Sequence, residues 1–233
     1  MQLFFIHGSG CTGDVFSAQL RAFGNAYATT LPGHRGDPLD SASIGGYADA
    51  VAVELRERRC DVVLCGSSMG GAIALELGLR SDPHVRGVVM LGSGARLRVA
   101  PAVFESLERD FPAGARALAK MFFAQPSAER VDAAVEMMLG VGQAQTLLDF
   151  HACNAFDATE RIADLKVPLL AITGADDVLT PPKFAHFLAD RVPDAAARIL
   201  PGAGHLAMIE QPAETNAALA QFVEQIGKPE RIS

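Results

Sequence analysis

Six short apolar runs, each bounded by turn residues, alternate with amphipathic stretches along most of this chain. The runs lie at 3–6, 26–31, 62–64, 88–91, 169–173 and 197–200. Each is mostly apolar on both faces, which is typical of parallel strands covered by helices. The helical patterns between them lie at 14–23, 44–59, 69–80, 183–191 and 214–226. This alternation predicts an α/β layered fold around a mostly parallel sheet.

One stretch, from about 96 to 163, interrupts the alternation with consecutive helical patterns and no strand signal. These patterns lie at 102–109, 113–123, 128–139 and 144–153. A run of helices between two strands indicates either an edge packing layer or a cap over the carboxyl edge of the sheet. We therefore expect a core formed by 1–95 and 164–233, with 96–163 as a helical cap insertion. The tail at 227–233 is expected to be frayed.

Composition and charge exclude several classes of protein. The chain has 233 residues, 49% hydrophobic, enough for one domain with an insertion. Its formal net charge of −7, without blocks of like charge, argues against a nucleic-acid partner. No apolar run approaches the roughly 18 residues that a membrane span needs, and the first residues do not resemble a signal peptide. Four cysteines without C-x-x-C or zinc-like spacing indicate a reducing, cytoplasmic setting.

The sharpest chemical signal is the G-S-S-M-G segment at 66–70, directly after one apolar run and directly before a helical pattern. So abrupt a turn strains the central residue and crowds the positions two residues away, which must be glycine. It places the Ser68 hydroxyl above the sheet at a helix N-terminus, as a nucleophile requires. Ser67 does not fit this register because position 65 is Cys. Without a partner base, the same segment would be an ordinary Gly/Ser turn.

A serine nucleophile needs a base and an orienting acid. His205 lies on a loop of small residues after the last apolar run, and Asp176 and Asp177 follow the run at 169–173. Taken singly, the histidine could be incidental and either aspartate a helix cap or turn residue. Together, Ser68, an aspartate and His205 each follow a strand in the chain order Ser, Asp, His, which predicts a catalytic triad.

These segments resemble the α/β-hydrolase family over nearly the whole chain. The matching segments are H-G-S-G at 7–10, L-P-G-H at 31–34, the elbow at 66–70, G-x-x-D-x-x-x-P at 174–181 and G-A-G-H at 202–205. The resemblance implies a Ser-His-Asp esterase with a helical cap, with Asp177 rather than Asp176 as the acid. It also implies an oxyanion hole formed by the backbone N–H groups of Ser9 and Met69.

The resemblance has one departure. Family members usually have two further strands before the His-Gly motif, so we expect a reduced sheet of about six parallel strands. The edge left by the missing pair could support a homodimer.

The predicted reaction is hydrolysis of a carboxylic ester, or of a similar small acyl substrate, through an acyl-enzyme, without a metal or organic cofactor. A cofactor-free lyase or a C–C bond hydrolase of the same fold is the alternative. Met and Phe residues in 96–163 suit an apolar acyl pocket or ordinary helix packing. Arg96 and Arg98 could bind a substrate carboxylate or simply face solvent.

A more distant alternative is a dinucleotide-binding oxidoreductase, because Gly8, Gly10 and Gly13 form a G-x-G-x-x-G after the first apolar run. Against it, the second run ends in T-L-P-G and lacks the acidic residue that would bind a ribose. A second alternative is a binding protein with the hydrolase fold, but it would give Ser68, Asp177 and His205 no role. No H-E-x-x-H or other ligand spacing indicates a metal enzyme.

Overall fold

A parallel sheet of six strands forms the centre of this computed structural model, which describes residues 1–227. The strands are β1 (Gln2–Ile6), β2 (Ala26–Thr29), β3 (Val62–Ser67), β4 (Val85–Leu91), β5 (Leu169–Gly174) and β6 (Ala195–Leu200). Their order across the sheet is β2-β1-β3-β4-β5-β6, and every neighbouring pair is parallel. The predicted six-stranded α/β-hydrolase sheet is confirmed. The rest of the tail expected to be frayed, 228–233, lies outside the described residues.

Helices connect the strands and cover both faces of the sheet. They are α1 (Ser17–Ala22), α2 (Ile44–Arg58), α3 (Met69–Leu79), α4 (Pro101–Arg109), α5 (Phe111–Met121), α6 (Ala128–Val141), α7 (Gln143–Ala155), α8 (Lys183–Arg191), α9 (Ala207–Glu210) and α10 (Pro212–Gly227). The helix predicted at 14–23 is instead a 3₁₀ turn, Gly13–Phe16, followed by the short α1. Within residues 1–227, no helix is both long and apolar enough to cross a bilayer.

Alternate residues of the central strands build two hydrophobic clusters, one on each side of the sheet. Phe4 and Leu64 belong to the cluster under α2, α3 and α8, whereas Phe5 and Val63 belong to the cluster under the 3₁₀ turn Gly13–Phe16 and α10. Every residue of β3 is buried, which explains why its sequence is apolar on both faces. The central strands therefore give the site a rigid, fully covered support.

The register of the sheet places the predicted site segments side by side. Ile6 of β1 pairs with Gly66 of β3, so the residues after each strand emerge together at the carboxyl edge. Ser67 pairs with Leu91 of β4. Gly174 of β5 pairs with Leu200 of β6, from which the chain leads directly to the His205 loop. Parallel sheets bind ligands at this edge.

The four helices α4 to α7 lie between β4 and β5 in the chain, as the pattern at 96–163 predicts. The two ends of this segment meet where Arg96 and Asp157 form an isolated antiparallel bridge and Ala158 N–H donates to Ala95 O at 2.8 Å. Side-chain caps begin two of the helices: Asp110 accepts from Ala113 N–H, and a serine caps α6. The helices contribute side chains to the same two clusters as the sheet, which attaches the segment to the core.

Candidate active site

The turn between β3 and α3 holds Ser68 in a strained conformation. Its φ of 52° and ψ of −115° lie in a region that side-chain-bearing residues rarely adopt. A Cβ at Gly66 would collide with the Gly70 carbonyl, and a Cβ at Gly70 would collide with the Ile6 carbonyl. The Ser93 hydroxyl donates to Ser68 O at 2.7 Å and holds the turn from β4. The local geometry is the one predicted from the glycine spacing.

His205 and Asp177 form a buried pair at the same edge. His205 Nδ1 donates to Asp177 Oδ2 at 3.0 Å, and both side chains are almost fully buried. Asp177 also accepts from the backbone N–H groups of Leu179 and Thr180, each at 2.9 Å, and from the Thr180 hydroxyl at 2.7 Å. The neighbouring Asp176 is exposed. The structure therefore joins His205 to Asp177, and its other ring nitrogen, Nε2, is left for a substrate or nucleophile.

The charge state of Asp177 follows from these contacts. Burial disfavours the carboxylate, but the hydrogen bond and charge of His205 and the Thr180 donors lower the pKa of Asp177 below its ordinary value. Asp177 is therefore ionised at neutral pH. An anion at this position fixes the imidazole tautomer with Nδ1 protonated and stabilises the imidazolium once Nε2 takes a proton.

Ser9 and Met69 lie against each other beside Ser68. The Ser9 hydroxyl is 3.6 Å from the Met69 sulfur, and a Cβ built on Gly8 would lie 3.1 Å from Ser68 Cβ. In the described chain, neither the Ser9 N–H nor the Met69 N–H donates a hydrogen bond. For Met69 the reason is that it begins α3, where the first N–H groups have no partner within the helix. Two residues beside Ser68 thus each carry an N–H group without a hydrogen-bond partner.

A cavity of about 230 Å³ lies over these groups. Ser9, Ser68 and His205 line its floor. Within residues 1–227, no hydrogen bond joins Ser68 Oγ to His205, and such bonds are often long before substrate binds. The remaining lining is largely apolar and comes mainly from the helical segment, the loop after β5 and α8: Leu97, Val99, Val103, Leu118, Met121, Phe150, Leu179 and Phe184. This is a small, mostly apolar pocket that also contains a few polar groups.

A larger cavity of about 760 Å³ lies on the other side of Cys11, Phe122 and Leu206, which line both spaces. Ser68 and His205 do not reach it. The smaller cavity is therefore the better candidate for the reaction site despite its size, because Ser68 and His205 line it.

Two buried carboxylates near the site are not among the predicted residues. Asp149 of α7 accepts from Gly10 N–H at 2.9 Å, and Glu210 of α9 accepts from Gly204 N–H at 2.7 Å. Each therefore holds a loop next to a predicted site residue. A polar residue on the inner face of a predicted amphipathic helix was the available signal for Asp149. For Glu210 the sequence offers none, because it follows His205 in an irregular segment.

Arg96 and Arg98, the two arginines that could bind a substrate carboxylate, have different surroundings. Arg98 lines the cavity and donates to Asn154 O at 2.8 Å, whereas Arg96 does not line it and faces Asp157.

The Gly10 N–H that could bind a dinucleotide pyrophosphate donates to the Asp149 carboxylate instead. An anion already buried there would repel a pyrophosphate, which argues against the oxidoreductase alternative.

Comparison with known proteins decides the family. A family model described as the alpha/beta hydrolase family matches residues 3–218. The chain belongs to the alpha/beta hydrolase family. The predicted membership and fold are thereby confirmed.

Relatives within this family narrow the class. The chain is 30% identical to a pimeloyl-[acyl-carrier protein] methyl ester esterase of Neisseria meningitidis serogroup A, over 97% of this chain and 77% of that protein. It is 27% identical to the protein of the same name from Aromatoleum aromaticum, over 95% and 97%. A solved thermophilic esterase is 32% identical with a TM-score of 0.88, covering 97% of this chain and 90% of that one. The chain is thus an esterase-like alpha/beta hydrolase, as predicted.

Proposed function

We propose that the protein is a serine hydrolase that cleaves a carboxylic ester through an acyl-enzyme formed on Ser68. The observation that supports this most directly is that the strained Ser68, Ser9 and His205 line one small cavity, with His205 hydrogen-bonded to the buried Asp177. Each component supplies one requirement of acyl transfer: a nucleophile, an oriented base and a site for negative charge.

The reaction would proceed in two halves. Nε2 of His205 takes the proton as Ser68 Oγ attacks the ester carbonyl, while Asp177 stabilises the imidazolium. The N–H groups of Ser9 and Met69 receive the oxyanion, and His205 then protonates the departing alcohol. In the second half, His205 activates water, which releases the acid and restores Ser68. These steps use no metal or organic cofactor.

We further propose that 96–163 acts as a cap that selects the substrate, with 1–95 and 164–233 as the core. The cavity lining supports this, because most of its apolar side chains come from 96–163. The names of the two curated relatives favour methyl esters of medium acyl chains as candidate substrates. A cytoplasmic location and a homodimer through the β2 edge stay predictions.

The test compares the wild type with Ser68→Ala and with Ser67→Ala as a matched control. Ser67 is the adjacent residue, buried at the end of β3, and has no role in the proposal. Each protein is assayed with p-nitrophenyl acetate, p-nitrophenyl hexanoate and dimethyl pimelate. It is then treated with a fluorophosphonate, and adduct formation is read by intact mass.

We expect turnover and labelling of the wild type and of Ser67→Ala, and neither in Ser68→Ala. Labelling at Ser68 without turnover of any ester would favour the lyase or C–C hydrolase alternative. Ester turnover by Ser68→Ala at the wild-type rate would refute the assignment of the nucleophile.

A further inference from the structure

The inner face of α7 carries polar side chains where an amphipathic helix would place apolar ones. Gln145, Thr146 and Asp149 are all fully buried. Burying a carboxylate is unfavourable unless hydrogen bonds and an opposite charge compensate it. The contacts of Asp149 show where that compensation comes from.

Asp149 accepts four hydrogen bonds from three other parts of the chain and from its own helix. Oδ2 accepts from Gly10 N–H at 2.9 Å and from His34 Nε2 at 2.8 Å. Oδ1 accepts from the Tyr47 hydroxyl at 2.6 Å and from Gln145 Nε2 at 3.0 Å. The carboxylate therefore connects α7 to α2 and to the loops that follow β1 and β2.

His34 supplies the opposite charge. Its Nδ1 faces the Pro32 carbonyl at 3.0 Å and its Nε2 faces Asp149, so both ring nitrogens meet acceptors. Burial opposes protonation, but the hydrogen bond and charge of Asp149 raise the pKa of His34 above its usual value. The His7 ring packs edge-on against the His34 ring, with 4.6 Å between the ring centroids. Burial is the larger cause, and the charge on His34 the second, that lowers the pKa of His7 to about 3.

The neutral His7 holds the peptide unit that carries the Ser9 N–H. Its Nδ1 donates to Gly8 O at 2.9 Å, while its Nε2 accepts from Leu31 N–H at 2.9 Å. Cys11 N–H also donates to Gly8 O, at 3.3 Å. Because Gly8 O and Ser9 N–H belong to one planar peptide, a fixed carbonyl directs the N–H to the opposite side.

Asp149 fixes the next peptide unit of the same loop, the one between Ser9 and Gly10. Gly10 has a φ of +63° and no side chain to restrain it, so its N–H bond to Asp149 is the contact that sets the orientation of that peptide. With both flanking peptides held, Ser9 has little freedom left.

We propose that Asp149 is a positioning residue that holds the Gly8–Gly10 loop so that the Ser9 N–H points at the developing oxyanion. This inference rests on the proposed function, and it extends it by giving the helical segment 96–163 a part in the chemistry as well as in the pocket. Asp149 touches no substrate and acts only through the loop.

The test is Asp149→Asn, which keeps the shape of the side chain but removes the charge and turns an N–H₂ toward groups that donate. Asp132→Asn is the matched control, because Asp132 is an exposed carboxylate on α6 paired with Arg116. Three quantities are measured: kcat and KM for p-nitrophenyl acetate, the inhibition constant of a trifluoromethyl ketone, and hydrogen exchange of the peptide at 7–11. The ketone forms a tetrahedral adduct with serine and so reports the oxyanion site.

In Asp149→Asn we expect kcat to fall about 100-fold with KM within a factor of two, since an oxyanion donor acts mainly in the transition state. The inhibition constant of the ketone should rise by a similar factor, and exchange at 7–11 should accelerate. Asp132→Asn should match the wild type in all three. Unchanged kcat and ketone affinity in a less stable Asp149→Asn would show that Asp149 only supports the fold, and would overturn the proposal.

If Asp149→Asn does not fold, Tyr47→Phe takes its place, since it removes one donor and leaves the carboxylate. We then expect kcat to fall about fivefold at constant KM, the value of one hydrogen bond; a loss of stability alone would overturn the proposal. If the proposed function is wrong, Ser68→Ala keeps its ester turnover. Hydrogen exchange at 7–11 reports only whether Asp149 holds the loop, so the two failures can be told apart.

Discussion

Replacing Ser68 by glycine should make the protein more stable than replacing it by alanine, although both changes remove the hydroxyl. The two variants differ by a single methyl group, at a residue with φ of 52° and ψ of −115°. Glycine adopts positive φ without a steric penalty, whereas a Cβ at this position strains the backbone. The pair therefore measures the strain that the turn imposes on its central residue.

The magnitude follows from two opposing contributions. A side-chain-bearing residue in a sparsely populated region costs on the order of 1–3 kcal/mol. Glycine loses about 0.5–1 kcal/mol more conformational entropy on folding than alanine. The middle values of the two ranges favour Ser68→Gly by about 1 kcal/mol. For a chain of 233 residues, the unfolding entropy is roughly 0.5 kcal/mol/K, so Tm should differ by about 2 °C.

The assay is calorimetry and urea unfolding of both variants, with Ser106→Gly and Ser106→Ala as the matched control pair. Ser106 lies inside α4, where glycine should be less stable than alanine by about 1 kcal/mol, the opposite sign. If Ser68→Gly proved equal to or less stable than Ser68→Ala, the turn would not be strained, and the argument from backbone geometry to an exposed nucleophile would be wrong.

Four further predictions concern neighbouring groups. Asp177→Asn should lower kcat about 10⁴-fold while Asp176→Asn leaves it unchanged, measured with p-nitrophenyl acetate. The pKa of Asp177 in the folded protein lies below its unfolded value of about 3.9. The ionised Asp177 therefore stabilises the folded protein above pH ~4, and this contribution is lost as the pH falls through the folded pKa. Urea unfolding of Asp177→Asn at a series of pH values should lack this loss. Arg98→Gln should raise KM about tenfold for an ester that bears a carboxylate, compared with a neutral ester, and Arg96→Gln should not. Glu210→Gln should lower the free energy of unfolding by about 2–4 kcal/mol in urea, because Glu210 accepts from three backbone N–H groups while almost fully buried.

The strands and the elbow could be predicted because their physical demands are local. A strand covered on both faces must be apolar throughout, and a turn as tight as 66–70 admits only glycine at two fixed positions. Strand ends were less accurate: β4 begins at Val85, three residues before the apolar run, because Arg86 occupies an exposed position within it. Pairing with β3 extends the strand through a residue whose polarity hides it from a pattern of apolar residues.

The supporting contacts of the site could not be predicted, because they depend on residues far apart in the chain. Asp149 lies 139 positions from Gly10, and Glu210 lies 86 positions from Ala124. In the sequence, each is an acidic residue in a segment that also contains solvent-facing polar residues. Only the folded chain shows which backbone N–H groups converge on these two carboxylates.

The same contacts indicate which part of the helical segment can move when a substrate enters. Raising α7 would separate Asp149 from His34 and from Gly10, and so would leave a buried charge and several donors without partners. In α4, by contrast, Leu107 is the one buried residue, although Val103 of that helix lines the cavity. Opening through α4 therefore costs less than opening through α7. The cavity can widen on the α4 side while the loop that holds Ser9 stays in place, as the proposed roles of the helical segment and of the Ser9 N–H both require.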